Sequence, residues 1–243
     1  MIDELEAFRH VHFVGIAGIG MSALARLLVA RRIEISGSDI DPGEQGESLA
    51  ELGITVVAGH AAGNIRGADL VVVSSAVTES NPEIEAAREQ GIRIVKRAEL
   101  LAVIMNAGFG IAVAGTHGKT TTSALIAHVL IEAGRDPTVL IGGMSAGLAS
   151  NARVGGDVTV VEADEYDGSF LLLRPAIAVL TNIEPDNLDF YKTIDRLHDA
   201  FRTFVAGVRD VLVVCADDAV ALDLGRQSPA TLFTYGLLEG DWQ

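Results

Sequence analysis

The sequence predicts an α/β protein built on parallel sheets, and three observations support this class. Short runs rich in apolar and β-branched residues alternate with helical patterns from end to end, which is typical of a parallel sheet covered by helices. Two glycine-rich segments, at residues 15–20 and 115–118, each lie between an apolar run and a helical pattern. The chain has 243 residues, 49% of them apolar, and is therefore long enough to bury the core of one large or two modest domains.

The first part of the chain is predicted to alternate strands and helices. The strands are predicted at residues 10–16, 33–37, 55–58, 70–74 and 92–96. The helices are predicted at residues 20–31, 44–52, 82–90 and 97–105. Asn81 followed by Pro82 supports the helix at 82–90, because asparagine caps a helix start and proline fits the first helical position.

A glycine-containing break at residues 106–110 interrupts this pattern before a new strand begins. We therefore predict two domains, residues 1–107 and residues 108–243. Strands of the second domain are predicted at residues 111–114, 138–141, 157–162, 176–180, 210–215 and 232–235. Helices are predicted at residues 123–133 and 193–205, and loops near a site at residues 142–147 and 155–156.

The charge balance limits the classes of partner. Eighteen Lys and Arg residues against 33 Asp and Glu residues give a formal net charge of −15, which argues against nucleic acid or an anionic membrane as partner. The single cysteine, Cys215, lies in an apolar run and is predicted to be a core residue in a reducing compartment. The acidic N-terminus resembles no secretion signal, and no apolar run reaches the length of a membrane span. A cytoplasmic location is therefore expected.

The most informative segment is GTHGKTTT at residues 115–122, which follows an apolar strand and opens a helix. Glycines allow backbone N–H groups to approach phosphate oxygens, and the helix N-terminus adds partial positive charge. Lys119 then supplies a cation for the terminal phosphates, and the Thr120 hydroxyl is suited to Mg²⁺. The pattern is a shortened P-loop, with Val113 where the longer motif has glycine. The alternative is an ordinary glycine turn before a helix.

The first glycine segment, GIAGIG at residues 15–20, occupies the place of a dinucleotide loop in a Rossmann-like domain. Ala17 stands where the usual fingerprint has its second glycine, so a nucleotide diphosphate fits better than NAD in particular. Asp39, at the end of the second predicted strand, lies where an acidic ribose ligand is expected. The alternative is tight packing of a helix on a strand with a solvated aspartate.

Acidic and amide side chains follow two further strands. Strand alternation sends Glu162 and Asp164 to one face, which suits oxygen ligation of Mg²⁺, although a solvated acidic turn is the competing interpretation. The segment 181–189 adds a second polar cluster after the strand at 176–180. Because ligands gather at the carboxyl ends of parallel strands, these clusters and the phosphate loop are predicted to form one site.

Several segments together resemble the Mur ligase family, the ATP-dependent amide-forming enzymes of peptidoglycan synthesis. They are HFVGIAGIGMS at 12–22, SGSD at 36–39, SSA at 74–76, GTHGKTTT at 115–122, EADEYD at 162–167 and TNIEPD at 181–186. The resemblance implies a Rossmann-like domain that binds the UDP part of a substrate, followed by a P-loop ATPase-like α/β domain and a C-terminal domain. The motifs are most similar to those of members that join L-alanine to UDP-N-acetylmuramate through an acyl phosphate, with ATP and Mg²⁺ as cofactors.

The resemblance also implies a role for individual residues. The residues implied to bind the UDP substrate are Gly15, Ala17, Gly18, Ile19, Gly20, Ser38, Asp39, Ser74 and Ser75. The residues implied to bind ATP are Gly115, Thr116, His117, Gly118, Lys119, Thr120, Thr121 and Asn182. Lys119, Glu162 and Asn187 are implied to act in catalysis, and Thr120, Glu162 and Asn187 to hold the metal.

Two departures from the family pattern leave alternatives open. The family places a metal-binding histidine where this chain has Asn187, whose amide oxygen can still ligate Mg²⁺. The third domain is expected to be absent and the second incomplete, so the chain is either a fragment or a shortened relative, with a separate chain supplying the C-terminal domain as one option. A non-catalytic UDP-sugar and ATP binding module and a murein-peptide recycling ligase are the competing functions. A dehydrogenase is disfavoured, because a Gly-Lys-Thr loop has no task in hydride transfer.

Overall fold

The structure is a computed structural model that describes residues 8–142, 152–156 and 158–242. The chain divides into two compact units, Met1–Ile104 and Met105–Gln243. Each unit carries a parallel β-sheet with helices packed against its strands, so the predicted α/β class is confirmed. Within the residues described, no helix has the length and apolar character needed to cross a membrane.

The first unit contains a five-stranded sheet in the order β3-β2-β1-β4-β5, with every neighbouring pair parallel among the residues described. Its strands are β1 (His10–Val14), β2 (Glu34–Asp39), β3 (Thr55–Ala58), β4 (Leu70–Val73) and β5 (Arg93–Lys96). Its helices are α1 (Ile19–Ala30), α2 (Gly43–Ala50), α3 (Pro82–Glu89) and α4 (Arg97–Ala107), and a 3₁₀ turn lies at Ala62–Ile65. The division between the units falls within α4. The strand order reverses between β1 and β4, and such a reversal opens a crevice at the carboxyl ends of the strands.

The second unit contains a seven-stranded sheet in the order β12-β11-β10-β6-β9-β7-β8 among the residues described. Its strands are β6 (Phe109–Ala114), β7 (Thr138–Leu140), β8 (Ala152–Arg153), β9 (Val158–Ala163), β10 (Ile177–Leu180), β11 (Val211–Cys215) and β12 (Thr231–Tyr235). Its helices are α5 (Lys119–Glu132), α6 (Leu188–Tyr191), α7 (Ile194–Ala206) and α8 (Ala219–Arg226), and a 3₁₀ turn lies at Ser169–Leu172. Among its described strands, the short strand β8 is the one that pairs antiparallel, with β7. Here the strand order reverses between β6 and β10, so the segments that follow these two strands meet.

The central strands of both sheets are buried on both faces. In β1 the side chains of Val11, Phe13 and Val14 are fully buried, and residues 111–114 of β6 are buried as a continuous run. Such runs are typical of parallel strands with helices on both sides. Cys215 was predicted to be a core residue, but it is only half-buried, because it stands at the last position of β11.

Most predicted elements lie within a few residues of those in the structure. The cap at Asn81 is confirmed, since its side chain accepts a hydrogen bond from the Glu83 amide. The helix predicted at residues 123–133 begins four residues earlier, at Lys119, because Gly118 caps it in a left-handed conformation. No prediction was made for α6, α8 or β8. Of the predicted loops, Gly142 and residues 155–156 are loop, and residues 143–147 lie outside the described part of the chain.

Candidate active site

The predicted phosphate loop, residues 115–118, connects β6 to α5, and its two glycines are required for different reasons. Gly118 has φ of +84° and turns the chain into α5, with open space around it. Gly115 has φ of +131°, and a Cβ there would lie 2.1 Å from Thr181 Oγ1 and 2.9 Å from the Asn182 carbonyl oxygen. The first glycine therefore allows the segment after β10 to approach the loop closely, which no side chain would permit.

Asn182 fixes the first half of this loop. Its carbonyl oxygen accepts from the Thr116 amide, and its Oδ1 accepts from the His117 amide, both at 2.9 Å. The Thr181 hydroxyl donates to the His117 carbonyl at 2.7 Å. The amides of residues 118–121, at the start of α5, have no hydrogen-bond partner in the described part of the chain. The N–H groups open to an anion are therefore those at the helix start, where the helix dipole also favours negative charge.

Lys119 lies at the first position of α5, with its ammonium folded back onto the loop. Nζ donates to the carbonyl oxygens of Gly115 at 2.7 Å and Thr116 at 3.2 Å. It also forms an ion pair with Glu165, whose Oε2 is 2.8 Å away. Glu165 was part of the acidic segment noted in the sequence, but its contact with Lys119 was not predicted. The next two residues of the helix, Thr120 and Thr121, are half-buried and exposed respectively.

Glu162 lies near the end of β9, the neighbour of β6, with Glu162 opposite Val113 in the register. Its Oε1 atom is buried and has no hydrogen-bond partner in the described part of the chain. A buried carboxylate oxygen without a partner is costly, and a cation would satisfy it. The prediction that strand alternation places Asp164 beside Glu162 was wrong, because β9 ends at Ala163. Asp164 is exposed and accepts from the Tyr166 amide.

Asn187 and Lys119 both contact Glu165, which links them. Asn187 caps α6 with φ of +53°, and its Nδ2 lies 3.3 Å from Glu165 Oε1. The Tyr191 hydroxyl donates to the Glu165 backbone carbonyl. Burial raises the pKa of Tyr191, and the nearby charge of Glu165 raises it further. The phenol therefore stays protonated and remains a hydrogen-bond donor. The structure thus brings Lys119, Glu165 and Asn187 together, while no group of three or more His, Cys, Asp or Glu side chains in the described residues has the arrangement of a metal cluster.

The glycine loop of the first unit is attached to the end of β2. The Gly15 and Ile16 amides donate to the Ser38 carbonyl at 2.8 and 3.0 Å. The Ala17 amide donates to Asp39 Oδ2 at 2.9 Å. Asp39, predicted as a ribose ligand, therefore uses one oxygen to hold the loop in shape.

Residues at both sides of this crevice contact the loop. Gly15 has φ of +84°, and a Cβ there would lie 3.0 Å from the Cβ of Ser74, directly after β4. Ser74 is half-buried and Ser75 is exposed. Gly18 and Ile19 are exposed, and Gly20 is half-buried at the start of α1. The predicted residues at the carboxyl ends of β1, β2 and β4 thus lie around the point where the strand order reverses.

Arg97 is a neighbour of this loop that sequence reasoning missed. A Cβ on Gly20 would lie 3.0 Å from Arg97 Cδ and 3.1 Å from its Nη1. Arg97 is half-buried, and its guanidinium forms no ion pair or hydrogen bond with the described residues. A guanidinium beside a glycine loop and a helix start is suited to binding a diphosphate. The available signal was its position directly after β5, at the carboxyl edge of the sheet.

Glu83, the second residue of α3, stabilises the same loop through its contact with Ser38. Sequence reasoning missed this residue as well. Glu83 is fully buried, and its carboxylate accepts from the Ser38 hydroxyl and from Asn64 Nδ2, both at 2.6 Å. His60 Nδ1 lies 3.1 Å from Oε2, and His12 Nε2 lies 3.8 Å from Oε1. Burial raises the pKa of Glu83, but His12 and the hydrogen-bond donors outweigh burial and lower the pKa to about 2. In the sequence Glu83 is indistinguishable from an ordinary acidic residue at a helix start.

The fold and these two loops define an α/β protein with a glycine turn that leads from the first strand of each unit into a helix. Residues 10–108 match the family described as Mur ligase family, catalytic domain, and residues 113–243 match the Mur ligase middle domain. The chain belongs to the Mur ligase family.

Two curated relatives show how much of the family's length is present. The UDP-N-acetylmuramate–L-alanine ligase of Sorangium cellulosum (strain So ce56) is 50% identical over 232 residues, which cover 94% of this chain and 50% of that protein. The enzyme of the same name from Renibacterium salmoninarum is 49% identical over 242 residues, covering 97% of this chain and 52% of that protein. The chain spans about half the length of these relatives.

Solved structures show the same fold. A crystal structure of UDP-N-acetylmuramate-alanine ligase from Thermotoga maritima superimposes with a TM-score of 0.83 at 34% identity, over 95% of this chain and 53% of that one. The UDP-N-acetylmuramate:L-alanyl-gamma-D-glutamyl-meso-diaminopimelate ligase from Neisseria meningitides gives a TM-score of 0.84 at 28% identity, over 93% of this chain and 77% of that one.

Proposed function

We propose that this chain forms the UDP-substrate-binding and ATP-binding parts of a ligase that joins L-alanine to UDP-N-acetylmuramate. Residues 1–107 would bind the UDP substrate, and residues 108–243 would bind ATP. The main support is the position of Lys119, which follows a glycine loop and begins a helix. The chain is also 50% identical to an enzyme of that name. In this proposal the UDP group binds the first unit, because the helix start after its glycine loop, Asp39 and Arg97 lie at one edge of the sheet and can contribute the helix dipole, a carboxylate and a guanidinium.

The proposed chemistry transfers a phosphoryl group and then an acyl group. A carboxylate oxygen of the muramic acid attacks the γ-phosphorus of ATP, ADP leaves, and an acyl phosphate forms. The amine of L-alanine then attacks the acyl carbon, inorganic phosphate leaves, and the amine loses a proton. The protein's task is to hold anions in line and stabilise charge on the transferred group. Lys119 and the free amides at the start of α5 are suited to that task.

Mg²⁺ fits the residues near this loop. We propose that the Thr120 hydroxyl, Glu162 and Asn187 hold it, supported by the buried Glu162 oxygen that lacks a partner in the described residues. When bound, Mg²⁺ would offset the negative charge of the phosphate oxygens. Asn187 offers an amide oxygen in place of imidazole, while its nitrogen faces Glu165.

The competing functions have less support. A recycling ligase that attaches a preformed peptide is similar in fold, but the match to such an enzyme is 28% identical, against 46–50% for the alanine ligases. A non-catalytic module would bind nucleotide without turnover. A cytoplasmic location and a separate chain that carries the C-terminal domain remain predictions.

Calorimetric titration tests the ATP site and the UDP site separately. Lys119→Ala is expected to weaken ATP binding by about 100-fold, because a charge-assisted contact to phosphate is lost. Its affinity for UDP-N-acetylmuramate is expected to stay within about twofold of the original. Lys192→Ala is the matched control, since Lys192 is an exposed lysine of the same unit. Equal loss of both ligands, or no binding of ATP to the unaltered chain at millimolar concentration, would refute the proposal.

A second assay separates an enzyme from a binding module. ATP-dependent phosphate release is measured with UDP-N-acetylmuramate, with and without L-alanine, and repeated with Asn187→His. Release that depends on both substrates supports the ligase. Nucleotide binding without release, unchanged by Asn187→His, supports the module.

A further inference from the structure

Glu165 is an unusual acidic residue, because it lies in a turn and is nevertheless 1% exposed. A buried carboxylate is stable only when it is paired and hydrogen-bonded. Glu165 has both kinds of partner, the Lys119 ammonium at 2.8 Å and the Asn187 amide at 3.3 Å. It therefore contacts two side chains that the proposed function needs for ATP and metal.

The ion pair leaves Lys119 without a free donor. A lysine ammonium has three N–H groups, and the two loop carbonyls and Glu165 Oε2 provide three acceptors. A phosphate oxygen can bind the ammonium only if one of these acceptors is displaced. The loop carbonyls belong to a backbone segment fixed by Asn182, whereas Glu165 Oε2 is at the end of a flexible side chain.

We propose that Glu165 is a positioning residue that holds Lys119 in place in the nucleotide-free protein and is displaced from it by the phosphates of ATP. On displacement Glu165 retains Asn187 as a hydrogen-bond donor to Oε1. The Tyr191 hydroxyl holds the Glu165 backbone carbonyl, so only the side chain has to turn. The pair keeps the ammonium aimed at the loop, and it weakens ATP binding because a carboxylate must first be separated from it.

This inference rests on the proposed ATP site, and a mutant cycle tests it apart from that site. Glu165→Gln removes the charge and keeps the shape, so ATP is expected to bind about tenfold more tightly. In the Lys119→Met background, Glu165→Gln is expected to change ATP affinity by less than about threefold, because no ammonium is left to release. Asp167→Asn is the matched control. Asp167 is an exposed acid of the same turn that accepts a hydrogen bond from the Ser169 amide and does not contact Lys119.

The titrations are run with ATP in EDTA and again with MgCl₂. We expect Glu165→Gln to bind ATP more tightly in both conditions. We expect this gain in affinity to disappear in the Lys119→Met background. An unchanged or weaker affinity in Glu165→Gln overturns the inference, as does tightening of the same size in the Lys119→Met background or with Asp167→Asn. Tightening only with Mg²⁺ also overturns it, because the carboxylate would then act through the metal. If the unaltered chain binds no ATP, the proposed function itself fails.

Folding of the variants is monitored by the fluorescence of Trp242, which lies in the second unit. If Glu165→Gln does not fold, Glu165→Asp takes its place, because it keeps the charge but shortens the reach to Lys119. We then expect ATP to bind about threefold more tightly. An unchanged ATP affinity of Glu165→Asp would refute the proposal that Glu165 restrains Lys119.

Discussion

Replacing Gly115 by alanine is expected to destabilise the second unit much more than the same change at Gly118. A Cβ at Gly115 would lie 2.1 Å from Thr181 Oγ1, and 2.9 and 3.0 Å from the Asn182 carbonyl oxygen and amide nitrogen. The Thr181 hydroxyl can turn away only by losing its bonds to the His117 and Ala114 carbonyls. The Asn182 backbone cannot turn away, because it is the hydrogen-bond partner of the loop.

The expected magnitude is a sum of three effects. Overpacking costs about 1–3 kcal/mol, a non-glycine residue at positive φ about 1–2 kcal/mol, and a lost hydrogen bond about 1 kcal/mol. We therefore expect Gly115→Ala to lower the free energy of unfolding by about 4 kcal/mol. At Gly118 a Cβ would meet nothing within 4 Å, so only the backbone strain at φ of +84° remains. Gly118→Ala is expected to cost about 1 kcal/mol.

Urea denaturation followed by tryptophan fluorescence measures this difference. Trp242 is the single tryptophan of the chain, and its ring centroid lies 5.1 Å from that of Phe233 on β12, so its signal reports on the second unit. The slope of the transition should be the same for all three proteins, with the midpoint shifted. If Gly115→Ala lowers the free energy of unfolding no more than Gly118→Ala does, the close packing of the segment after β10 against Gly115 does not limit stability, which refutes the packing argument.

Two further predictions concern carboxylates that accept more than one hydrogen bond. Because the pKa of Glu83 is lowered from 4.5 to about 2, its ionised form contributes stability above pH 4.5 that is lost as the pH falls toward 2. Glu83→Gln should therefore be less stable at pH 7, by at most roughly 3 kcal/mol, and the gap in circular-dichroism urea curves should narrow steadily as the pH falls from 4.5 toward 2; a gap independent of pH would contradict the assignment. Asp218 caps α8 through the Ala221 amide at 2.7 Å and also accepts from the Ile183 amide at 3.1 Å. Asp218→Ala should cost about 2 kcal/mol in urea denaturation, twice the cost of Thr193→Ala, which loses only a cap; equal costs would mean that the Ile183 contact is not stabilising.

The local sequence predicted the features that neighbouring residues decide. Short runs of apolar and β-branched residues marked the strands, Asn81 and Pro82 marked the start of α3, and the glycines at 15–20 and 115–118 marked the turns after β1 and β6. It did not predict α8, where Val220, Leu222 and Leu224 alternate as they would in a strand. It also assigned Asp164 to the same strand face as Glu162, although β9 ends at Ala163.

The tertiary structure alone decided which side chains meet at the two loops. Lys119 and Glu165 are 46 residues apart, and Ser38 and Glu83 are 45 residues apart. Neither pair is implied by spacing along a helix or strand, because both depend on the order in which parallel strands lie side by side. The sequence by itself determined the α/β class, the position of the loops and the family resemblance, all of which follow from short-range patterns. The partner of each buried charge followed only from the strand order, since burial and pairing are properties of segments brought together by folding.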